Sequence, residues 1–188
     1  MNTVFLIILI SSIFIFLMFV FLYNGLIRKK NQIENSLGSI DAMLKKRFDL
    51  IPNLVESCKA FISHENEIFL KLAELRTEAL QINDLSKKNN ADNVLSKSIN
   101  GLFAIAENYP ELKSSNNFLQ LQASWNETEE QIAASRRFYN SAVTDYNNAV
   151  EMFPSNLVSK LMGLRPKNVF SLPENEKANI SAKNLFAN

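Results

Sequence analysis

The stretch LQASWNETEEQIAASRRFYNSAVTDYNNAVEMF, residues 121–153, decides the fold. Apolar, aromatic and small side chains recur along it at alternating steps of four and three residues, the heptad spacing of a helix that packs against other helices. We call these positions the heptad seam: Leu121, Trp125, Thr128, Ile132, Ser135, Tyr139, Ala142, Tyr146, Ala149 and Phe153. The spacing predicts one long helix over about residues 117–153, ended by Pro154.

Small residues alternate with aromatic ones along the heptad seam, which favours close antiparallel packing within one chain over a parallel zipper of two chains. The alternative is a homo-oligomer that associates through the seam and four aromatic side chains: Phe118, Trp125, Tyr139 and Tyr146. That alternative requires these side chains not to be buried within a single chain.

The composition also favours an all-α fold. The chain has 188 residues with only four glycines and five prolines, and a scarcity of turn-forming residues is typical of long helices. This length is enough for one domain with accessory segments. Because the formal net charge is only +1, the overall charge indicates neither nucleic acid nor an acidic partner.

An apolar run lies near the start of the chain, where residues 4–22 read VFLIILISSIFIFLMFVFL. Nineteen residues at helical rise span about 28 Å, close to the hydrocarbon thickness of a bilayer. The run has neither a basic stretch before it nor a small-x-small cleavage site, so residues 1–23 are predicted to be an uncleaved signal anchor. Arg28, Lys29 and Lys30 flank it, and the positive-inside rule then predicts an outer N-terminus and a cytoplasmic domain.

The stretch KKRFDLIPNLVE, residues 45–56, is predicted to join two helices. Its cations suit a helix C-terminus, and Pro52 suits the first turn of a following helix. A turn needs only a cap and a proline, so four other polar residues carry a specificity that a turn does not explain. These residues form the candidate partner-binding joint: Arg47, Asp49, Asn53 and Glu56.

Two more helices are expected between this joint and the seam helix. Apolar periodicity predicts one from Pro52 to about Gln81 and another over residues 92–108, separated by a polar connection. The predicted architecture is a transmembrane helix continuous with a long antiparallel up-and-down bundle of four helices. The bundle covers residues 24–165, and a flexible tail covers residues 166–188.

Candidate catalytic and metal-binding patterns are incomplete. His64 begins a zinc-protease pattern, but Ile68 stands where the second histidine is needed. Cys58 lies on an apolar stripe without an adjacent histidine, which predicts a buried, inert thiol. The sequence contains no glycine-rich phosphate loop. We therefore assign no catalytic, cofactor-binding or metal-binding residue, and expect no small-molecule substrate.

Over about residues 1–165 the chain resembles the LemA family of bacterial membrane proteins. The resemblance rests on stretches in the family's order: YNGLIRKKN (23–31), IDAMLKKRFDLIPNLVESCKAFISHE (40–65), AIAENYPELKSSNNFLQLQ (104–122), IAASRRFYNSAVTDYNNAV (132–150) and MFPSNLVSKLMG (152–163). It implies a single-pass membrane protein with a cytoplasmic helical bundle. It implies no activity, since the family has no established catalytic residues. Its members are regarded as accessory proteins, some encoded beside membrane proteases and one branch serving internal membranes such as magnetosomes.

The expected function is therefore that of a non-enzymatic accessory or scaffold protein in a bacterial cell membrane or an internal membrane derived from it. Its expected partners are the lipid bilayer and other proteins, including a membrane protease or further copies of itself. One alternative is a homo-oligomeric organiser of a specialised membrane such as the magnetosome. Another is a subunit of a membrane protease or hydrolase that uses His64 with Glu65 or Glu67 and groups supplied by a partner.

Overall fold

The computed structural model describes residues 3–62, 66–82 and 84–170, apart from the side chain of Leu85. These residues form helices and connections, with no strand among them. The helices are α1 (Thr3–Lys59), α2 (Asn66–Gln81), α3 (Leu85–Ala106), α4 (Pro110–Lys113), α5 (Asn116–Glu151) and α6 (Ser155–Leu161). The predicted all-α fold class is confirmed.

The chain divides into two compact units. The anchor unit consists of residues 1–36 and 136–188, and the central unit consists of residues 37–135. Helices α1 and α5 each contribute residues to both units. The anchor unit buries, among others, Leu26, Ile33, Ala142, Val143, Tyr146, Val150 and Val158, and the central unit buries Ile40, Leu44, Phe48, Ile51, Leu54, Leu72, Leu95, Ile99, Leu102, Leu112 and Trp125.

The joint predicted at Pro52 is wrong, because α1 runs through it to Lys59 with the proline inside the helix. The prediction placed the helix break too early: α1 ends at Lys59 and α2 begins at Asn66. A proline in a helix interior removes one backbone hydrogen bond. At Pro52 a side chain of α2 replaces it, as described below.

The remaining helix bounds differ less from the prediction. α3 begins at Leu85 rather than residue 92 because Asp84 caps it, its carboxylate accepting a hydrogen bond from the Lys87 backbone N–H at 2.9 Å. α4 is an additional short helix with Pro110 in its first turn. α5 covers nearly the whole predicted seam helix, and α6 is a further short helix within the range predicted for the bundle.

The heptad seam is buried along most of α5. Trp125, Ile132 and Tyr146 have 2% or less of their surface exposed. Phe153 is the exception at 79% exposed, because α5 ends at Glu151 and the chain turns into α6. The four aromatic side chains required for association through the seam are all buried within one chain: Phe118, Trp125, Tyr139 and Tyr146. A homo-oligomer formed through the seam therefore loses its main support.

The first part of α1 is a bare apolar segment in the anchor unit. Large apolar side chains are exposed from Val4 to Phe21, whereas Leu26 and Ile33 on the same helix are buried. A window of 18 apolar-rich residues in this part of α1 has none of its residues buried. This segment is long and apolar enough to cross a membrane.

Two asparagines of α5 bind the main chain of the segment after α6. The Asn147 side-chain amide accepts from the Lys167 N–H and donates to the Lys167 carbonyl, both at 2.8 Å. The Asn140 amide does the same with Phe170, at 2.7 and 3.0 Å. Seven residues of helix advance about 10.5 Å, and three residues of extended chain advance about 10 Å. This match lets both asparagines hold one extended segment running antiparallel to α5.

Two tyrosines reinforce the same segment. The Tyr146 hydroxyl donates to the Arg165 carbonyl at 3.3 Å, and the Tyr139 hydroxyl donates to the Asn168 carbonyl at 3.4 Å. Burial raises the pKa of both phenols above its ordinary value, so both remain protonated donors at neutral pH. Residues 165–170, which we call the strap, are thus held along α5. Of the predicted flexible tail, residues 171–188 lie outside the described residues.

Candidate functional site

The four residues of the predicted joint lie in one helix, α1, and point to different surroundings. Arg47 is only 2% exposed and lies on the buried stripe between Leu44 and Ile51. Asp49, Asn53 and Glu56 are exposed and recur at steps of four and three residues, so they share one face of the helix. The structure thus separates a buried arginine from an exposed polar face.

Arg47 is the centre of a charged cluster in the central unit. Its Nη1 lies 3.3 Å from Asp92 Oδ1 on α3, and its Nη2 lies 3.4 Å from Glu129 Oε2 on α5. Its guanidinium carbon lies 4.1 Å from the centroid of the Trp125 ring. The side chains of Arg47 and Asp92 are 3% and 2% exposed, whereas that of Glu129 is 60% exposed. We call these four residues the Arg47 cluster.

The Arg47 cluster positions helices more than it stabilises the fold. Burying two charges costs several kcal/mol per ion, and their mutual attraction often only offsets that cost. The Trp125 ring face adds a cation–π contribution of about 2 kcal/mol for a desolvated guanidinium. An arrangement that brought α1, α3 and α5 together differently would leave Arg47 or Asp92 buried without the other. We infer that the cluster selects one register of these three helices.

Arg76 of α2 compensates for the proline inside α1. Because Pro52 has no N–H, the carbonyl of Phe48, four residues earlier, lacks its usual helical donor. Arg76 Nε donates to that carbonyl at 3.0 Å. Its Nη2 also donates to Asp49 Oδ1 at 3.4 Å. The hydrogen bond from Arg76 therefore explains how α1 continues through Pro52.

Asp49 links two helices at the surface of the central unit. Lys45 Nζ lies 2.6 Å from Asp49 Oδ2, one helical turn away on α1, and Arg76 reaches the other carboxylate oxygen. The hydrogen bond from Lys45, together with Arg76, lowers the pKa of Asp49 below its ordinary value, against a smaller opposing effect of burial. Asp49 is therefore ionised at neutral pH and bound within the chain.

Among the described residues, the candidate catalytic side chains are not brought together in a catalytic arrangement. Cys58 is fully buried, and burial raises the pKa of its thiol to about 11, so the prediction of a buried thiol is confirmed. No group of three or more metal-ligating side chains occurs in the part of the chain that the structure describes. His64 and Glu65 lie outside that part, and Glu67 is exposed in the first turn of α2.

Neither the burial of Asp92 nor the role of Arg47 was predicted from the sequence. Asp92 was expected at the start of the third helix, but it lies inside α3 on the same stripe as Leu95 and Ile99. A charged residue at a position of the apolar stripe was the available signal, and it occurs once on α1 and once on α3. Two such residues of opposite charge on neighbouring helices are candidates for a buried ion pair.

The basic residues after the apolar segment continue α1 without a break. Arg28 is exposed, and Lys29 and Lys30 are partly exposed. They therefore follow the apolar segment on the same helix, and their role in flanking a membrane span stays a prediction.

A family model described as the LemA family matches residues 36–183. Protein LemA of Metamycoplasma hominis is 28% identical over 168 residues, which cover 86% of this chain and 74% of the relative. Magnetosome protein MamQ 2 of Paramagnetospirillum magneticum is 22% identical over 174 residues, covering 79% of this chain and 64% of the relative. Magnetosome protein MamQ of Magnetospirillum gryphiswaldense is 21% identical over 169 residues, covering 76% and 62%. The match thus spans less than two thirds of each MamQ relative.

Proposed function

The chain belongs to the LemA family, and from this premise we propose that it is a membrane-anchored, non-catalytic scaffold for protein partners at the cytoplasmic face of a bacterial membrane. The bare apolar segment of α1 supports the membrane anchor. Arg28, Lys29 and Lys30 next to that segment support a cytoplasmic position for the rest of the chain.

The observation that carries the proposal is the burial of Arg47. The guanidinium of Arg47 is enclosed by Asp92 and Trp125. It therefore cannot contact a substrate in solution. We infer that this buried ion pair contributes specificity to helix packing rather than chemistry. Arg47 is accordingly a positioning residue, which fixes the shape of the surface that α1 presents.

The surface proposed for partner contact is the exposed face of α1 formed by Asp49, Asn53 and Glu56, which we call the α1 polar face. Asn53 and Glu56 are exposed, while Asp49 is held by Lys45 and Arg76. A face with a fixed backbone and exposed polar groups suits a protein partner, because little conformational freedom is lost when it binds.

Site-specific photocrosslinking tests this proposal. A photoreactive amino acid is placed at Asn53 or Glu56 in the full chain, and cells are irradiated before the membranes are isolated. Asn100 is the matched control, since it is an exposed asparagine on α3 of the same unit. We expect discrete protein adducts from positions 53 and 56 and none from position 100. Equal adducts at all three positions, or none at 53 and 56, would contradict the assignment of the α1 polar face.

A second candidate function is homo-oligomeric organisation of a specialised internal membrane. It is favoured by the similarity to magnetosome proteins of two organisms. Because the heptad seam is buried within one chain, self-association would need another surface. In the crosslinking experiment this function predicts adducts of twice the mass of the chain in place of adducts with other proteins.

A further inference from the structure

A group of large apolar side chains at the end of α5 has no role in the core. Met152 and Phe153 lie between α5 and α6, and Leu157 and Leu161 lie on α6. They are 62%, 79%, 60% and 76% exposed, respectively. We call these four residues the apolar turn. Phe153 is the only one on the heptad seam, whose preceding positions on α5 are buried or partly buried.

The backbone that carries these exposed side chains is held in place by contacts between α6 and the end of α5. α6 buries Val158 and Ser159 on its opposite side. The Ser159 hydroxyl is 2.8 Å from the Val150 carbonyl and 3.0 Å from that of Asn156. These contacts attach α6 to the end of α5, so the apolar turn projects outward as a formed surface.

The pattern of burial along α1 indicates where the apolar turn lies in the anchor unit. Leu26 is 1% exposed, whereas the large apolar side chains from Val4 to Phe21 are exposed. The described residues of the unit beyond α1 are 136–170. These are the described residues of the unit that can cover Leu26. The part of α1 that is covered ends where the exposed apolar segment begins.

Ser57 contacts Asn117 and Lys46 contacts Gln131, so α1 and α5 run antiparallel, and their lengths place the apolar turn near that edge. α1 leaves the anchor unit after Ser36, and α5 enters the unit at Arg136. From these points α1 runs back to Leu22 over about 22 Å and α5 runs forward to Glu151 over about 24 Å, at 1.5 Å per residue. The strap then returns along α5, away from this edge, to Asn140.

From this placement we propose that the apolar turn inserts into the interfacial region of the same bilayer that the apolar segment of α1 crosses. Aromatic and aliphatic side chains at such a position sit among the headgroups and the first acyl carbons. Lys160 on α6 and the basic residues that follow the span lie near this edge, with Glu151 as an opposing charge. The surface suits anionic lipid, and a second contact with the membrane restricts the tilt of the anchor unit.

The test measures the depth of labels in reconstituted full-length protein. Phe153→Cys and Leu161→Cys each carry an environment-sensitive fluorophore in vesicles of phosphatidylglycerol and phosphatidylcholine. Phe138→Cys is the matched control, because Phe138 is an exposed phenylalanine on α5 in the same unit. The wild-type chain, whose Cys58 is buried, is the labelling blank. Helix content from circular dichroism checks that each variant is folded.

At positions 153 and 161 we expect iodide quenching about threefold or more weaker than at position 138, and quenching by lipids with a shallow spin label, as for an interfacial segment. Equal iodide access at all three positions would overturn the proposal. Protection that grows with the protein-to-lipid ratio, without quenching by lipid, would assign the surface to a second copy and also overturn it. The proposal rests on the membrane anchor of the proposed function, but neither result bears on the α1 polar face, so the membrane contact and the partner site fail independently.

Discussion

The central unit and the anchor unit hold their parts together with different chemistry. In the central unit, Arg47 joins three helices through a buried ion pair and an aromatic ring. In the anchor unit, Asn140 and Asn147 hold the strap through neutral amides that bind main-chain groups. A buried charge pairs only with a side chain of opposite charge. An amide side chain that binds main-chain groups can hold a segment of any sequence. Substitutions should therefore act globally in one unit and locally in the other.

The largest effect is expected from Arg47→Met. This change leaves the Asp92 carboxylate buried without the guanidinium, which costs about 3–5 kcal/mol in comparable buried pairs. Chemical unfolding of the detergent-solubilised chain, followed by helix content, measures it. The double variant Arg47→Met/Asp92→Leu should recover most of the loss, because Glu129 is largely solvated. A double variant as unstable as the single one would show that the ion pair is not the source of the effect.

Asn147→Ala should act on the strap alone. The change removes two hydrogen bonds to Lys167, each worth about 0.5–1.5 kcal/mol. Hydrogen exchange should show lost protection at the Lys167 amide, with the amides of α3 unaffected. Asn148→Ala is the control, since Asn148 is the adjacent, exposed asparagine on the same helix. Equal loss of protection in both variants would contradict the role of the Asn147 side chain in holding the strap.

A smaller effect is expected where Arg76 meets Pro52. Arg76→Met removes the donor to the Phe48 carbonyl, at a cost of about 1–2 kcal/mol. In a Pro52→Ala background the alanine N–H can supply that donor, so the same Arg76 change should cost less. A double-mutant cycle of unfolding free energies measures the difference. Additive effects would mean that Arg76 does not compensate for the proline.

The smallest effect is the pH dependence due to Asp49. The pKa of this carboxyl is lowered in the folded chain, so its stabilising contribution is present above the unfolded value and is lost as pH falls through the folded value. Asp49→Asn should lower Tm slightly at pH 7, and the difference from wild type should vanish in strong acid. Because the side chain is 45% exposed, the shift should shrink in high salt. A difference that persists in acid would contradict this account.

The sequence predicted the features that depend on periodicity. Steps of three and four residues located α5 and its buried face, and the apolar run located the segment able to span a membrane. The helix end predicted at Pro52 was wrong because a hydrogen bond from Arg76 replaces the one that proline cannot donate. Arg76 lies 24 positions further along the chain, on another helix. Local sequence carries no signal of that donor.

The candidate site was predicted at a joint between two helices. The structure instead places Asp49, Asn53 and Glu56 as exposed polar residues inside α1, and their contact with a partner stays a prediction. Arg47 was grouped with them because it is a neighbour in sequence, yet the helix turns it towards Asp92 and Trp125. Pairing between α1, α3 and α5 is a property of the packed helices and cannot be obtained from spacing on α1 alone. Phe153 continues the heptad seam in sequence, but the end of α5 leaves it exposed.

The central claim is that Arg47 shapes the α1 polar face and takes no chemical part in the function. It is tested most directly by placing the photoreactive amino acid at Glu56 in the folded Arg47→Met/Asp92→Leu chain and measuring the yield of partner adduct. We expect the yield to match that of the wild-type chain, because the apolar pair preserves the packing of the helices. A double variant that keeps the wild-type hydrogen-exchange pattern of α1, α3 and α5 but forms no adduct would contradict the claim and give Arg47 a direct role in the interaction.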